Sequence, residues 1–260
     1  MGGVRNPARK ARRAYEVWSS DAGRWDGAPR SWGPNTGHPN EAARNRIVYR
    51  QMSAALTYAA TRYARGTLLD IGCGTKPWQA TFAPYVDVHI GADHADTLHG
   101  LASVDVVSDA YHVPLDDASV DTILLTEVLE HLERPQDALA ECGRLLRPGG
   151  HVILTTPFTW PLHEEPRDFY RYSPYGLRYL ADGAGFEVIE VSALSGIWTT
   201  LSLQFSYGLL RHRPRAPALV DALAVGAQRM AWALDRIDRQ EILSWNHLLV
   251  ARLPGRESSA

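Results

Sequence analysis

Short apolar runs alternate with helix-length segments along most of this chain, and that alternation fixes the class of fold. TLLDIG (67–72), VDVHIGAD (86–93), SVDVVSD (103–109), VDTILLT (120–126), HVILTTP (151–157), FEVIEVSAL (186–194) and NHLLVARL (246–253) each read as a strand. Between them, RPQDALAECGRLLRPGG (134–150) reads as a helix ending at Pro148-Gly149-Gly150, and SPYGLRYLADGAG (173–185) as a helix with a glycine stop. Strands this apolar are buried on both faces, so the pattern predicts an α/β fold with a parallel sheet covered on either side by helices. Upstream, the spacing of Ile47, Val48, Met52, Leu56 and Tyr63 predicts an amphipathic helix over 41–65, stopped by Gly66. The stretch 195–244, rich in Leu, Trp, Ala and Arg, is expected to add two helices before the last strand. The chain therefore divides into an N-terminal lid or helical segment (1–65), a core (66–194), a helical insert (195–244) and the last strand with its tail (245–260).

With 260 residues, 45% of them hydrophobic, there is apolar material for one substantial core with appendages. A formal charge of −2 supplies no bulk attraction to nucleic acid or to anionic lipid. The basic residues of NPARKARRAY and Arg44, Arg46 and Arg50 read as a solvated face, since no aromatic stacking pattern accompanies them. Two cysteines, Cys73 and Cys142, make no disulfide framework and no zinc-ligand spacing; with no signal-peptide core or bilayer-length apolar run, a cytoplasmic location is expected.

A strand, a glycine turn and a helix meet at the carboxyl edge of such a sheet, which is where α/β folds bind ligands. In TLLDIGCGTKPW the third glycine of a dinucleotide fingerprint would fall on Pro77, so that fingerprint fails and an NAD-dependent oxidoreductase is disfavoured. The pattern is D-x-G-x-G: Gly72 and Gly74 let backbone approach a ligand, and the Asp70 carboxylate suits a cationic amino group better than a pyrophosphate. The ligand suggested is a nucleoside carrying an amino acid.

LDIGCG (69–74), GAD (91–93), SDAYHVPLDDASVD (108–121), TEVLEHL (126–132) and RLLRPGGHVILTTP (144–157), in this order and spacing, resemble the class I S-adenosylmethionine-dependent methyltransferases, particularly their type 11 group. The resemblance covers roughly residues 66–192 and the last strand. It implies a Rossmann-like, doubly wound, seven-stranded sheet, mostly parallel with an antiparallel last strand. It also implies S-adenosyl-L-methionine as cofactor and S-adenosyl-L-homocysteine as product. By resemblance, the cofactor set is Asp70, Gly72, Cys73, Gly74, Asp93, Asp109, Ala110, Thr126 and Glu127. Asp93 would accept from the ribose hydroxyls, or else cap a helix; Asp109 and Ala110 would meet the adenine, or Asp109 serve a turn. Backbone after the fourth strand, at Thr126 and Glu127, would face the methionine amine and the acceptor. Cys73 reads as a small filler. One departure is Lys76, where many members place a third glycine.

For a base, His163 is the first candidate, with Glu164 as its orienting partner, and His131 either catalyses or braces its turn. All three catalytic candidates belong to the sheet-edge loops. Asp168 and Arg171 are expected to lock the loop 156–177 by a salt bridge. Tyr170 and Tyr172 line an acceptor pocket or simply pack, and Trp18, Trp25 and Trp32 are candidates for a lid, with Trp25 on the substrate. No metal site is expected, for lack of a clear Mg²⁺ carboxylate set. The predicted activity is methyl transfer to a small-molecule acceptor, a sugar or specialised metabolite. The alternatives are a lipid or quinone acceptor, or an inactive cofactor-binding scaffold. No nucleic-acid partner is expected, because the N/D-P-P-[YF] motif is replaced by TEVL. The insert would cover the acceptor or form a homodimer contact.

Overall fold

A computed structural model describes residues 45–255; Trp18, Trp25 and Trp32, and with them the expected lid, lie outside this range. The first described helix, α1 (Arg46–Tyr63), buries Ile47, Met52, Leu56, Ala59 and Ala60 on one side, as its spacing predicts. It leads into β1 (Thr67–Ile71), a one-turn helix α2 (Gln79–Phe82), β2 (Val88–Asp93), β3 (Val106–Val107) and β4 (Val120–Thr126). A 3-10 turn (Leu129–His131) then precedes α3 (Pro135–Leu145), β5 (Leu146–Pro157), α4 (Pro174–Gly183) and β6 (Glu187–Ala193). Finally α5 (Ile197–Leu209), α6 (Pro217–Ile237) and β7 (Asn246–Arg252) complete the described chain.

The seven strands form one sheet in the order β3-β2-β1-β4-β5-β7-β6. The pairings β1–β2, β1–β4, β2–β3 and β4–β5 are parallel, while β7 runs antiparallel to both β5 and β6. Alternation within the strands assigns the two faces. Leu68, Leu124, Ile153, Leu248 and Val250 join α1 and Trp245 in one core; Leu69, Ile123, Leu125, Val152, Leu154, Leu249 and Ala251 join α3 and α4 in the other. These leucines are buried deeply enough that truncating any of them to alanine costs about 2–5 kcal/mol.

Two local expectations are corrected. The helix expected to run to Gly150 ends at Leu145, and Leu146 already opens β5 in extended conformation. Pro148 disfavours the helical region for Arg147 before it, and Gly149 takes a positive φ of 81°. The third strand pairs only over Val106–Val107, as the sheet edge alongside β2.

The insert does form two helices, and they pack on each other. The Asp235 carboxylate of α6 accepts from the backbone N–H groups of Gly196, Trp198 and Thr199 (3.1–3.2 Å), holding the N-terminal turn of α5. Ser195, Thr200 and Ser244 then tie the insert to the start of β7 through a buried hydroxyl cluster. No described helix is long and apolar enough to cross a membrane.

Candidate active site

Because β1, β2, β4 and β5 are parallel, their carboxyl ends share one sheet edge, and the candidate residues gather there. After β1 the chain turns through three left-handed residues, Gly72 (φ 69°), Gly74 (φ 50°) and Lys76 (φ 53°). A Cβ on Gly72 would stand 2.4 Å from a Val128 methyl carbon, so this glycine is demanded by close packing of the loop after β4 as well as by backbone geometry. Lys76, a non-glycine residue, takes a conformation that glycine adopts more readily. Its ammonium reaches Asp105 (2.5 Å) and the His89 carbonyl (3.3 Å), which anchors the turn from below.

Asp93, at the end of β2, accepts from the Gly74 N–H through one oxygen and from the His94 N–H through the other, each at 2.8 Å. It thus fixes the glycine turn, and its remaining lone pairs suit hydroxyl donors. Asp70 is buried and takes a hydrogen bond from His89 Nε2 (3.0 Å), while its Oδ1 has no partner. Burial raises the Asp70 pKa, so a cation against that oxygen would stabilise its charged form. Burial also pushes the Cys73 thiol up to about 12, which fits a filler rather than a nucleophile. Asp109 makes the turn that was its alternative role, accepting from the Tyr111 and His112 N–H groups (2.8 and 2.9 Å) through one oxygen, with buried Ala110 next to it. A carboxylate set at the ends of β2 and β3, an unpartnered Asp70 oxygen and a left-handed glycine turn fit a nucleoside bearing an amino acid.

Thr126 ends β4, and Glu127 follows with a left-handed φ of 55°. Glu127 Oε1 accepts from Thr155 Oγ1 (2.8 Å) and Asn246 Nδ2 (2.7 Å), and burial raises its pKa. One turn further, Glu130 is wholly buried: Oε2 accepts from Thr156 (3.2 Å), and Oε1 has no partner. Burial, reinforced by the neighbouring Glu127, holds the Glu130 pKa well above the carboxylate range.

The loop after β5 folds back over this turn. Phe169 and Tyr170 donate backbone N–H groups to the Glu130 carbonyl (2.9 and 3.3 Å), and Tyr172 donates its hydroxyl to the Leu129 carbonyl (3.1 Å). The result sets the His163 ring edge-on to the His131 ring, with centroids 4.8 Å apart and planes at 71°. His163 is thus brought to His131, as both were expected at this edge, but its orienting partner is not Glu164. Asp168 accepts from the His163 backbone N–H (3.0 Å) and lies 3.4 Å from Nδ1; Glu164, at a left-handed φ of 51°, is turned to within 3.9 Å of His131 Nε2. Asp168 and Arg171 do lock the loop, by two bonds of 2.6 and 2.7 Å that hold the Asp168 pKa far below the usual carboxylate range. Burial and the facing His131 lower the His163 pKa.

Of the two tyrosines, Tyr172 is only 7% exposed and packs in the core, whereas Tyr170 remains at the surface with its hydroxyl on the Glu133 carbonyl (3.1 Å). Glu130, Asp168 as a histidine partner, Thr156 and Asn246 were not anticipated as site residues. The signal for Glu130 was present in the spacing of TEVLEHL, which sets two glutamates and a histidine on successive turns.

Residues 69–154 match a family model described as Methyltransferase domain. A 37.1 kDa uncharacterised protein of a transposon in Streptomyces fradiae is 35% identical over 190 residues, 62% of this chain and 55% of that protein. A probable S-adenosylmethionine-dependent methyltransferase of Mycolicibacterium smegmatis is 34% identical over 121 residues, 44% of each chain. The chain therefore spans about half the length of the curated relatives it matches. Among solved structures, the cyclase SpnF shares the fold at 20% identity, over 97% of this chain and 98% of that one, with a TM-score of 0.53. Motifs, strand order and domain match agree: residues 69–154 match a methyltransferase domain, set in a sheet whose strand order is the one the class I resemblance implies.

Proposed function

We propose that the chain transfers a methyl group from S-adenosyl-L-methionine to a small-molecule acceptor, leaving S-adenosyl-L-homocysteine. The observation that carries this reading is the shared sheet edge. The Gly72–Lys76 turn with Asp93 lies at the ends of β1 and β2, and the Glu130–His131–His163 corner at the ends of β4 and β5.

The sulfonium of the cofactor supplies an already electrophilic methyl group. What the chain adds is placement. Asp93 receives the ribose hydroxyls while keeping the turn closed through Gly74; Asp109 and the Ala110 N–H receive the adenine edge. Asp70 Oδ1 and the backbone at Thr126 and Glu127 receive the methionine amine. An acceptor held at the histidine corner would be presented to the methyl, and alignment of this kind would supply most of the rate. A hydroxyl or amine acceptor must lose a proton, and the imidazole Nε2 of His163, set by Asp168, is the chain's own group for taking it.

The test is transfer of a radiolabelled methyl group from S-adenosylmethionine into a fractionated cell extract. Label in the small-molecule fraction supports the reading, and label in protein or nucleic acid overturns the acceptor class. Retained S-adenosylhomocysteine binding with no label in any fraction favours a cofactor-binding scaffold, a point worth testing because the same fold serves the cyclase SpnF.

A further inference from the structure

We propose that Glu130 Oε1, His131 Nε2 and His163 Nε2 form a binding site for a single divalent transition-metal ion. This goes beyond the proposed methyl transfer and does not rest on it; an ion bound there engages the His163 Nε2 lone pair, so His163 is a proton acceptor only in the ion-free chain.

The three ligand atoms lie within 4.8 Å of one another. Glu130 Oε1 is 3.7 Å from His131 Nε2 and 3.9 Å from His163 Nε2. Zinc–nitrogen and zinc–oxygen bonds of about 2.1 Å in a tetrahedral site put ligand atoms about 3.4 Å apart, so the two carboxylate–imidazole distances close with shifts of a few tenths of an ångström, and the two part-exposed rings must draw together by about 1 Å.

The tautomers of both rings point the same way. His131 Nδ1 sits 2.5 Å from the Arg167 carbonyl, an atom that can only accept, so the ring proton is on Nδ1 and the Nε2 lone pair faces Glu130. His163 Nδ1 faces two acceptors, the Pro161 carbonyl (3.3 Å) and Asp168 Oδ2 (3.4 Å), which again leaves the lone pair on Nε2. A carboxylate or carbonyl behind each ligating imidazole is the arrangement that orients metal-binding histidines. Asp168 is itself held by Arg171, so the support behind His163 is rigid.

Three acceptor atoms thus converge with no donor between them. A proton on Glu130 would not satisfy either ring, because 3.7 Å is too long for a hydrogen bond. A cation satisfies all three. Two imidazoles and one carboxylate suit a borderline ion such as Zn²⁺, Fe²⁺, Mn²⁺ or Co²⁺ rather than Mg²⁺ or Ca²⁺. Glu130 is wholly buried, while the two histidine side chains keep 15% and 27% exposure, so the open coordination positions lie on the solvent side of the corner. Glu164, 3.9 Å from His131 Nε2 and half exposed, is within reach as a fourth ligand.

The test uses the full chain, stripped with chelator and titrated with Co²⁺ while visible d–d absorption is recorded, then with Zn²⁺ by calorimetry. The expected result is one ion per chain, with affinity reduced at least 100-fold in Glu130→Gln and in His163→Ala, and about tenfold in Asp168→Asn. Far-UV circular dichroism and thermal melting establish that each variant is folded; if Glu130→Gln is not, His163→Ala, at a part-exposed position, carries the test. Absence of a tight site, or equal affinity in wild type and folded His163→Ala, overturns the proposal and leaves the two rings as an edge-to-face pair. Neither readout involves methyl transfer, so failure here is separate from failure of the proposed function.

Discussion

Asn246, the first residue of β7, donates to Glu127 Oε1 at 2.7 Å and so fastens the loop after β4 to the far side of β5. Glu127 needs this bond. It follows a strand in a left-handed conformation that costs a non-glycine residue roughly 1 kcal/mol, and its carboxyl is desolvated. Replacing Asn246 by leucine leaves Thr155 as the remaining side-chain donor to that oxygen. The expected loss is about 1–3 kcal/mol in urea unfolding, the usual cost of leaving a buried acceptor short of a donor. A variant within 0.5 kcal/mol of wild type would show that Glu127 is held by its backbone bond to Thr155 instead.

Lys76 poses a smaller and more finely balanced question. Glycine at this position relieves the left-handed strain of φ 53° by roughly 1 kcal/mol but removes the ion pair with Asp105. Asp105 is more than half exposed, and such pairs contribute about 0–1 kcal/mol, while glycine also adds freedom to the unfolded chain. The terms nearly cancel, so Lys76→Gly is expected to unfold within about 1 kcal/mol of wild type. A loss well above 2 kcal/mol would mean that the ammonium organises the turn through the His89 carbonyl as much as through Asp105.

His151 gives the fold an acid-sensitive point away from the site. It is buried at the start of the paired part of β5 beside Tyr63, with Nδ1 unpartnered. Burial, then Arg65 and Arg252, lower its pKa to about 4 from 6.5 in the unfolded chain. Above pH 6.5 both states carry the neutral ring and nothing is lost. Between 6.5 and 4 the unfolded chain takes up the proton and the folded one does not, so stability falls with pH, by about 2 kcal/mol across that window once partial solvent contact is allowed for. Below 4 this loss is complete. In His151→Phe the contribution disappears, and the difference in urea stability between the two proteins should widen from pH 7 to pH 4. A constant difference would mean that His151 takes up its proton over the same pH range folded as unfolded.

The strands were legible because strands buried on both faces of a sheet read as nearly continuous apolar runs, whichever way they pair. β1, β4 and β7 fall where TLLDIG, VDTILLT and NHLLVARL place them. The start of β5 was not legible, since the helix period carries through Leu146 and only Pro148 and Gly149 redirect the backbone. In the site, Asp168 and Arg171 were readable as a pair three residues apart, a purely local relation. The partner of His163 was not: adjacency favoured Glu164, but a left-handed φ there swings its side chain to His131, and the loop returns to offer Asp168. The spacing of TEVLEHL sets Glu130 near Glu127 and His131, but its burial, which makes it a site residue, depends on Thr156 and on a loop that closes about 40 residues later.

Asp93 ties the turn to the proposed cofactor contact, and one substitution separates the two duties. Asp93→Ala removes the acceptor for Gly74 and His94 as well as the proposed ribose contact; Asp93→Asn retains one acceptor oxygen for the Gly74 N–H and replaces the other with an amide nitrogen. If the carboxylate receives ribose hydroxyls, both variants should bind S-adenosylhomocysteine more weakly in calorimetry, by about 2–3 kcal/mol for alanine, the worth of hydrogen bonds to a charged acceptor. Thermal melting should distinguish them: alanine loses the buried turn bonds and melts lower, whereas asparagine retains the bond to Gly74 and stays nearer wild type. Unchanged affinity in folded Asp93→Asn would confine Asp93 to holding the turn and would shift the ribose contact to another residue at the end of β2.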